Sequence, residues 1–155
     1  MILHAISLID VSASYVLDPD VLVAAFRSAR GASRQLLLGA LDSRFELLLS
    51  VPLMLEYEAV LTRPEHLAAC GLSAGEVERV LDDLASVARQ VRLAFRWRPR
   101  LSDANDDMVL ETAVNGNADA IVTFNQRDFE EARREFDCAV ILPSEALVQM
   151  RESNS

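Results

Sequence analysis

The chain has 155 residues and a formal net charge of −9, with 24 acidic residues against 15 basic ones. Every basic residue is arginine; no lysine occurs. Schiff-base chemistry and P-loop phosphate binding both need a lysine amine, so both are excluded.

In chain order, residues 1–14 read as an N-terminal extension, apolar at first but without a basic leader region. Residues 15–150 read as one domain and 151–155 as a C-terminal tail. Tyr15-Val16-Leu17 is the first strand, ending at Asp18-Pro19-Asp20. A helix follows from about Val21 to Phe26. After Gly31, Ser33 is placed to cap a second helix through Leu41. Phe45 to Ser50 reads as a buried strand, and Pro52 suits the first turn of a helix to about Leu61. Arg63-Pro64 breaks that helix. Ser73, with Glu76 three residues on, is a capping box that opens a helix to about Ala88. Val91 to Phe95 reads as a short strand. Asp103 or Asn105 is placed to cap a helix from Asp106 to Val114, which Asn115-Gly116-Asn117 ends. Ala120 to Thr123 is a strand, Asp128 to Glu135 a polar helix, and Ala139 to Leu142 the last strand. Pro143 starts the final helix.

No stretch approaches the roughly 20 apolar residues that span a bilayer. Cys70 and Cys138 are the only cysteines, which suits a reducing, cytoplasmic compartment. A zinc site would need His4, His66, Cys70 and Cys138 to converge, and their spacings match neither a finger nor a ribbon. The net acidity argues against broad adhesion to nucleic acid but leaves room for an enzyme that holds it locally.

Strands alternating with helices imply a parallel sheet covered by helices on both faces. Ligands of such folds bind beyond the carboxyl ends of the strands. Asp18 and Asp20 leave the first strand at that edge. Glu56 sits about one turn into the helix after the second strand. The helix starting at Asp106 runs antiparallel to the strand it precedes, so its N-terminus lies there too. Thr123, Asn125 and Asp128 leave the next strand at the same edge. Sequence order therefore gathers Asp18, Glu56, Asp106 and Asn125 or Asp128.

Carboxylates gathered in a cleft repel one another and take up protons unless a cation neutralises them. Mg²⁺ and Mn²⁺ prefer oxygen ligands, and such an ion supports phosphodiester hydrolysis by activating water. Blander readings exist for each residue. Asp103, Asn105, Asp106 and Asp128 suit helix caps, Asp18-Pro19-Asp20 a turn, and Glu56 a solvated helix face.

At these residues the sequence resembles the PIN domain, and more narrowly the bacterial PIN proteins that act as toxins of toxin–antitoxin pairs. The matching pieces are Val16-Leu17-Asp18-Pro19-Asp20-Val21-Leu22-Val23, then Arg27-Ser28 followed by Gly31-Ala32-Ser33. Leu49-Ser50-Val51-Pro52-Leu53 and Leu55-Glu56-Tyr57-Glu58-Ala59-Val60-Leu61 continue the match. Trp97-Arg98-Pro99, Asp103 through Leu110, Ile121-Val122-Thr123-Phe124-Asn125, Asp128-Phe129 and Pro143-Ser144-Glu145-Ala146-Leu147 complete it. The resemblance implies a three-layer α/β/α fold with a central parallel sheet of about five strands. It also implies a Mg²⁺- or Mn²⁺-dependent ribonuclease, an RNA substrate, an antitoxin partner and a homodimer.

By motif position Asp18, Glu56 and Asp106 match the first three acids, with Asp107 as the alternative third. Asp18, Asp106, Glu56 and Asp128 are then the metal ligands, with Asn125 completing the shell and Asp20 and Thr123 as accessories. Two departures stand out. Asp-Pro-Asp replaces the commoner Asp-Thr-Asn, and Thr123-Phe124-Asn125 puts an amide where many relatives have an acid. A catalytically degenerate PIN domain that binds RNA or a protein is therefore the second reading. Asp18-Pro19-Asp20-Val21 also resembles the start of a haloacid-dehalogenase-type phosphatase, and receiver domains likewise cluster acids. Both expect a lysine beside the phosphate, and this chain has none. Arg89, Arg92, Arg96, Arg98 and Arg100 surround Trp97; Arg98 and Arg100 are candidate RNA contacts, against a core role for Trp97. Leu36, Leu37, Leu38 and Leu41 form an apolar helix face that suits the core.

Overall fold

The computed structural model describes residues 12–94 and 104–153. Five short strands form one sheet: β1 (Ser14–Leu17), β2 (Glu46–Leu49), β3 (Arg89–Gln90), β4 (Ala120–Val122) and β5 (Ala139–Ile141). Eight α-helices are described: α1 (Pro19–Arg27), α2 (Ala32–Leu41), α3 (Val51–Leu61), α4 (Pro64–Cys70), α5 (Ala74–Val87), α6 (Ala104–Gly116), α7 (Glu130–Phe136) and α8 (Pro143–Ser153). A 3₁₀ turn (Gln126–Phe129) leads into α7.

The strand order is β3-β2-β1-β4-β5 and every pairing is parallel. Helical crossovers cover the sheet, so β1, β2, β4 and β5 read largely as apolar runs without alternation, whereas β3 at the edge is polar and exposed. β1 is buried along its whole length, and Leu47, Leu48, Leu49, Ile121 and Val122 are buried as well. After β1 the chain builds outward through β2 and β3, then returns to build β4 and β5 on the other side. The topological switch point therefore lies between β1 and β4, where α/β sheets open a crevice at their carboxyl ends. This is the α/β architecture with a five-stranded parallel sheet that the sequence implied.

Local chemistry explains most boundaries. Ser73 accepts from Glu76 N at 3.1 Å and Glu76 Oε1 from Ser73 N at 3.0 Å, completing the capping box of α5. Ser50 caps α3 by accepting from Leu53 N. α6 runs to Gly116 and stops at Asn117, which adopts a left-handed φ of 54°.

Other boundaries differ from expectation. α1 starts at Pro19 rather than Val21, because proline fits a first helical turn whose N–H groups are unpaired in any case. Gly31, not Ser33, occupies the N-cap of α2, and Ser33 is buried inside the helix. Arg63-Pro64 ends one helix but also begins α4, which Gly71 closes at φ 76°. β3 is the exposed pair Arg89–Gln90, and Val91 adds one further bond, from its N–H to Leu49 O. Asp128 lies in the 3₁₀ turn and caps nothing; α7 begins at Glu130. α8 continues through Ser153, taking in Arg151 to Ser153, which the sequence reading assigned to the tail. Most of the N-terminal extension (residues 1–11), Trp97, Arg98, Arg100 and Asp103 lie outside the described residues.

Candidate active site

Asp18 sits at the switch point. Its N–H donates to Val122 O at 2.9 Å, which ties the end of β1 to β4, and its carbonyl accepts from Val21 N at 2.9 Å as α1 begins. The residue is only 6% exposed. Thr123, fully buried at the end of β4, donates its hydroxyl to Asp18 Oδ2 at 2.6 Å. The same hydroxyl oxygen accepts from Asn125 N at 2.9 Å, which turns the chain after β4 over the site.

Asp20, one position into the helix from Pro19, is partly buried beside Asp18. Its Oδ2 accepts from Asn125 Nδ2 at 2.8 Å and from Phe124 N at 3.3 Å. Its Oδ1 is buried and meets no hydrogen-bond donor among the described residues while both carboxyls are ionised. Buried carboxylates without donors are penalised, and like charges add to the penalty. Burial, then the charge of Asp20, push the Asp18 carboxyl up to about 7 despite the Thr123 bond; Asp128 adds to the rise. Burial also pushes Asp20 up to about 6, opposed by the N–H groups of Phe124 and Val21 and reinforced by Asp106. Asp106 and Asp128 thus act on this pair from two further elements, the first turn of α6 and the 3₁₀ turn.

The other candidates stand as follows. Asp106 is partly buried and Asp107 is 6% exposed. Asn125 and Asp128 are exposed. Glu56 is partly buried on α3, one residue before Tyr57. The Tyr57 hydroxyl donates to Leu17 O and so pins α3 to the end of β1. Tyr57 is fully buried, and burial followed by the nearby Asp18 charge raises its phenol well above the ordinary range. It stays a neutral donor there.

A second link joins the helices that carry Glu56 and Asp106. Leu53 N donates to Ser50 Oγ, Ser50 Oγ lies 2.7 Å from Thr112 Oγ1, and the Thr112 hydroxyl donates to Met108 O. Since the Thr112 proton goes to Met108, the Ser50 hydroxyl must donate to Thr112. The chain of donors is complete and leaves neither hydroxyl unpaired, although both residues are buried.

Sequence reading treated Asp20 as an accessory and did not single out Tyr57 or Thr112 as supports. The spacing Asp18-Pro19-Asp20 around a first helical turn was the available signal for Asp20, because both acids then lie at one helix N-terminus. Among the described residues no group of three or more His, Cys, Asp or Glu side chains stands arranged to hold a metal ion. Asp18 and Asp20 both have carboxyls pushed up, and each acts on the other.

The doubly wound parallel sheet thus carries the buried carboxyl of Asp18 and the partly buried one of Asp20 at its switch point. The PIN domain profile matches residues 14–127, most of the chain, and the chain belongs to the PIN domain family. PIN domains as a class are nucleases. No curated protein and no solved structure shows significant similarity to the chain. No helix among the described residues is long and apolar enough to cross a membrane.

Proposed function

We propose that the chain is a Mg²⁺- or Mn²⁺-dependent endoribonuclease, acting as the toxin of a type II toxin–antitoxin pair in the cytoplasm, where it would form a homodimer and bind its antitoxin. The observation that carries the nuclease reading is the Asp18–Asp20 pair, held by Thr123 and Asn125 and facing the charges of Asp106 and Asp128. A buried and a partly buried acid with raised proton affinity, one of them with an oxygen lacking a donor, favour a cation between them. Mg²⁺ commonly uses one or two carboxylates and keeps several waters, so the Asp18–Asp20 pair is enough to carry it. Asp18 and Asp20 would hold the ion, with Asp106, Glu56 and Asp128 reaching it directly or through water.

A bound divalent ion polarises a phosphoryl oxygen and lowers the pKa of water. The chain's own groups do the rest. Thr123 fixes the Asp18 oxygen and Asn125 fixes Asp20, so neither carboxylate needs to reorganise. Glu56 would orient the attacking water and accept its proton. The N-terminal end of α6 would add a positive dipole at the same edge of the sheet. Lysine is not required at any point, in contrast to the phosphatase and receiver chemistries.

A binding-only reading draws on the lack of a three-donor cluster among the described residues. Calorimetric titration with Mn²⁺ separates the two: a metal-using enzyme binds at micromolar to sub-millimolar concentration, and a binding module takes up none. The direct test is cleavage of single-stranded RNA with Mn²⁺ and after chelation with EDTA. Cutting should appear only with metal. Undiminished cutting in EDTA would remove the proposal.

A further inference from the structure

An apolar groove of about 370 Å³ lies beside the acid site. The start of α2 and the start of α8 form its walls, with Leu142 and Pro143 on one side and Gly31 and Ser33 on the other. Phe124 lines it and is 49% exposed. Groove and acid site share one segment, because Phe124 stands between Thr123 and Asn125, and its own N–H donates to Asp20.

Two further features point to a polar ligand in this apolar space. Ser33 is 4% exposed, and its Oγ has no hydrogen-bond partner among the described residues. A buried hydroxyl left unpaired is unfavourable, and a ligand acceptor or donor would satisfy it. The N-cap of α2 is Gly31, which offers no side-chain bond to the first-turn N–H groups. Unpaired N–H groups of a first helical turn are suited to an anionic ligand. Arg30, next in sequence to Gly31, brings a cation to the same loop.

We propose that this groove holds the nucleotide of single-stranded RNA adjacent to the scissile bond. Its base stacks on Phe124 against Leu142 and Pro143, and its sugar–phosphate meets Ser33 and the first turn of α2. The inference rests on the nuclease reading above and adds a substrate subsite to it. A purely apolar peptide side chain would leave Ser33 Oγ unpaired, whereas a nucleotide supplies both a π-face and polar atoms. The volume falls in the range of small-ligand sites.

Fluorescence anisotropy with a labelled single-stranded RNA oligonucleotide in EDTA, at low ionic strength, tests this. Wild type, Phe124→Ala, Phe124→Trp and Ser33→Ala are compared, with Val148→Ala as a control for loss of an exposed apolar side chain elsewhere. Metal-dependent cleavage by wild type is measured in parallel. Phe124→Ala should bind roughly 10-fold more weakly, Phe124→Trp should restore affinity, and Val148→Ala should match wild type. Equal affinity of wild type and Phe124→Ala would overturn the subsite and assign the groove to a protein partner, while continued cleavage would keep the nuclease reading. A Phe124 effect on binding with no cleavage by wild type would keep the groove as an RNA site but overturn both the nuclease and its place beside a scissile bond. A wild type that neither binds nor cuts would overturn both.

Discussion

The side-chain amide of Asn125 donates to Asp20 Oδ2 at 2.8 Å, joining positions 105 residues apart at the switch point of the sheet. An acid and an amide thus meet across the site. The two positions at which the sequence departs from the motif it resembles, Asp20 and Asn125, thus meet in one hydrogen bond.

This makes a prediction about the pair. Asp20→Asn should weaken Mn²⁺ binding at least tenfold in calorimetry, because it removes one of the two paired carboxylates. Asn125→Asp alone sets two acids in contact and should lower the melting temperature of the metal-free protein. The double exchange Asp20→Asn with Asn125→Asp should recover most of the metal affinity. Failure of the double variant to improve on Asp20→Asn would show that the two positions are not equivalent.

Asp18 predicts a pH dependence. Its folded-state pKa is about 7, above the ordinary carboxylate value of 3.8. The folded protein therefore holds this proton more tightly than the unfolded chain. The resulting stability is fully present at low pH and is lost as pH rises through about 7. Without metal, Asp18→Asn should stabilise the protein at pH 8 by on the order of 2 kcal/mol, and by little at pH 5. Denaturant melts at both pH values check this, and an equal effect at the two would refute it.

Thr123→Val should cost about 1–3 kcal/mol, since it leaves the buried Asp18 Oδ2 and the partly buried Asn125 N–H without their partner. It should raise the Asp18 proton affinity further, because the hydroxyl bond lowers it now. Thr123→Ser keeps the hydroxyl and should retain most of the cleavage rate. Chemical denaturation and the pH profile of cutting measure the two effects together.

Gly116 predicts a purely structural effect. A Cβ there would sit 2.8 Å from Val91 Cγ2 and 2.9 Å from Leu48 Cδ1, so α6 packs on β2 through a bare backbone. Gly116→Ala should destabilise the fold by about 1–3 kcal/mol through overpacking, despite alanine's better helix propensity. Thermal melts of the metal-free protein check it; an unchanged melting temperature would mean that the neighbours yield freely.

Much of this was legible in the sequence because it depends on local signals. Apolar runs such as Leu47-Leu48-Leu49 and Ile121-Val122, closed by polar turns, marked the buried parallel strands. The edge rule then brought Asp18, Asp106, Thr123 and Asn125 together in outline. β3 was misread because its two paired residues, Arg89 and Gln90, are exposed and carry no apolar pattern. α4 was missed because Arg63-Pro64 reads equally as an end and as a beginning. Residue type alone favours Ser33 as the cap of α2, while the extended conformation of Gly31 decides the helix start. The Asp20–Asn125 bond and the Tyr57 anchor on Leu17 were illegible, since both depend on how distant segments pack.

The central claim is that the acids at the switch point perform metal-dependent RNA hydrolysis. The most direct measurement is the single-turnover cleavage rate of single-stranded RNA with saturating Mn²⁺, for wild type, Asp18→Asn and Asp106→Asn, each confirmed folded. Wild type should cut, and each variant should be slower by a factor on the order of 100 or more. Equal rates in all three would contradict the account.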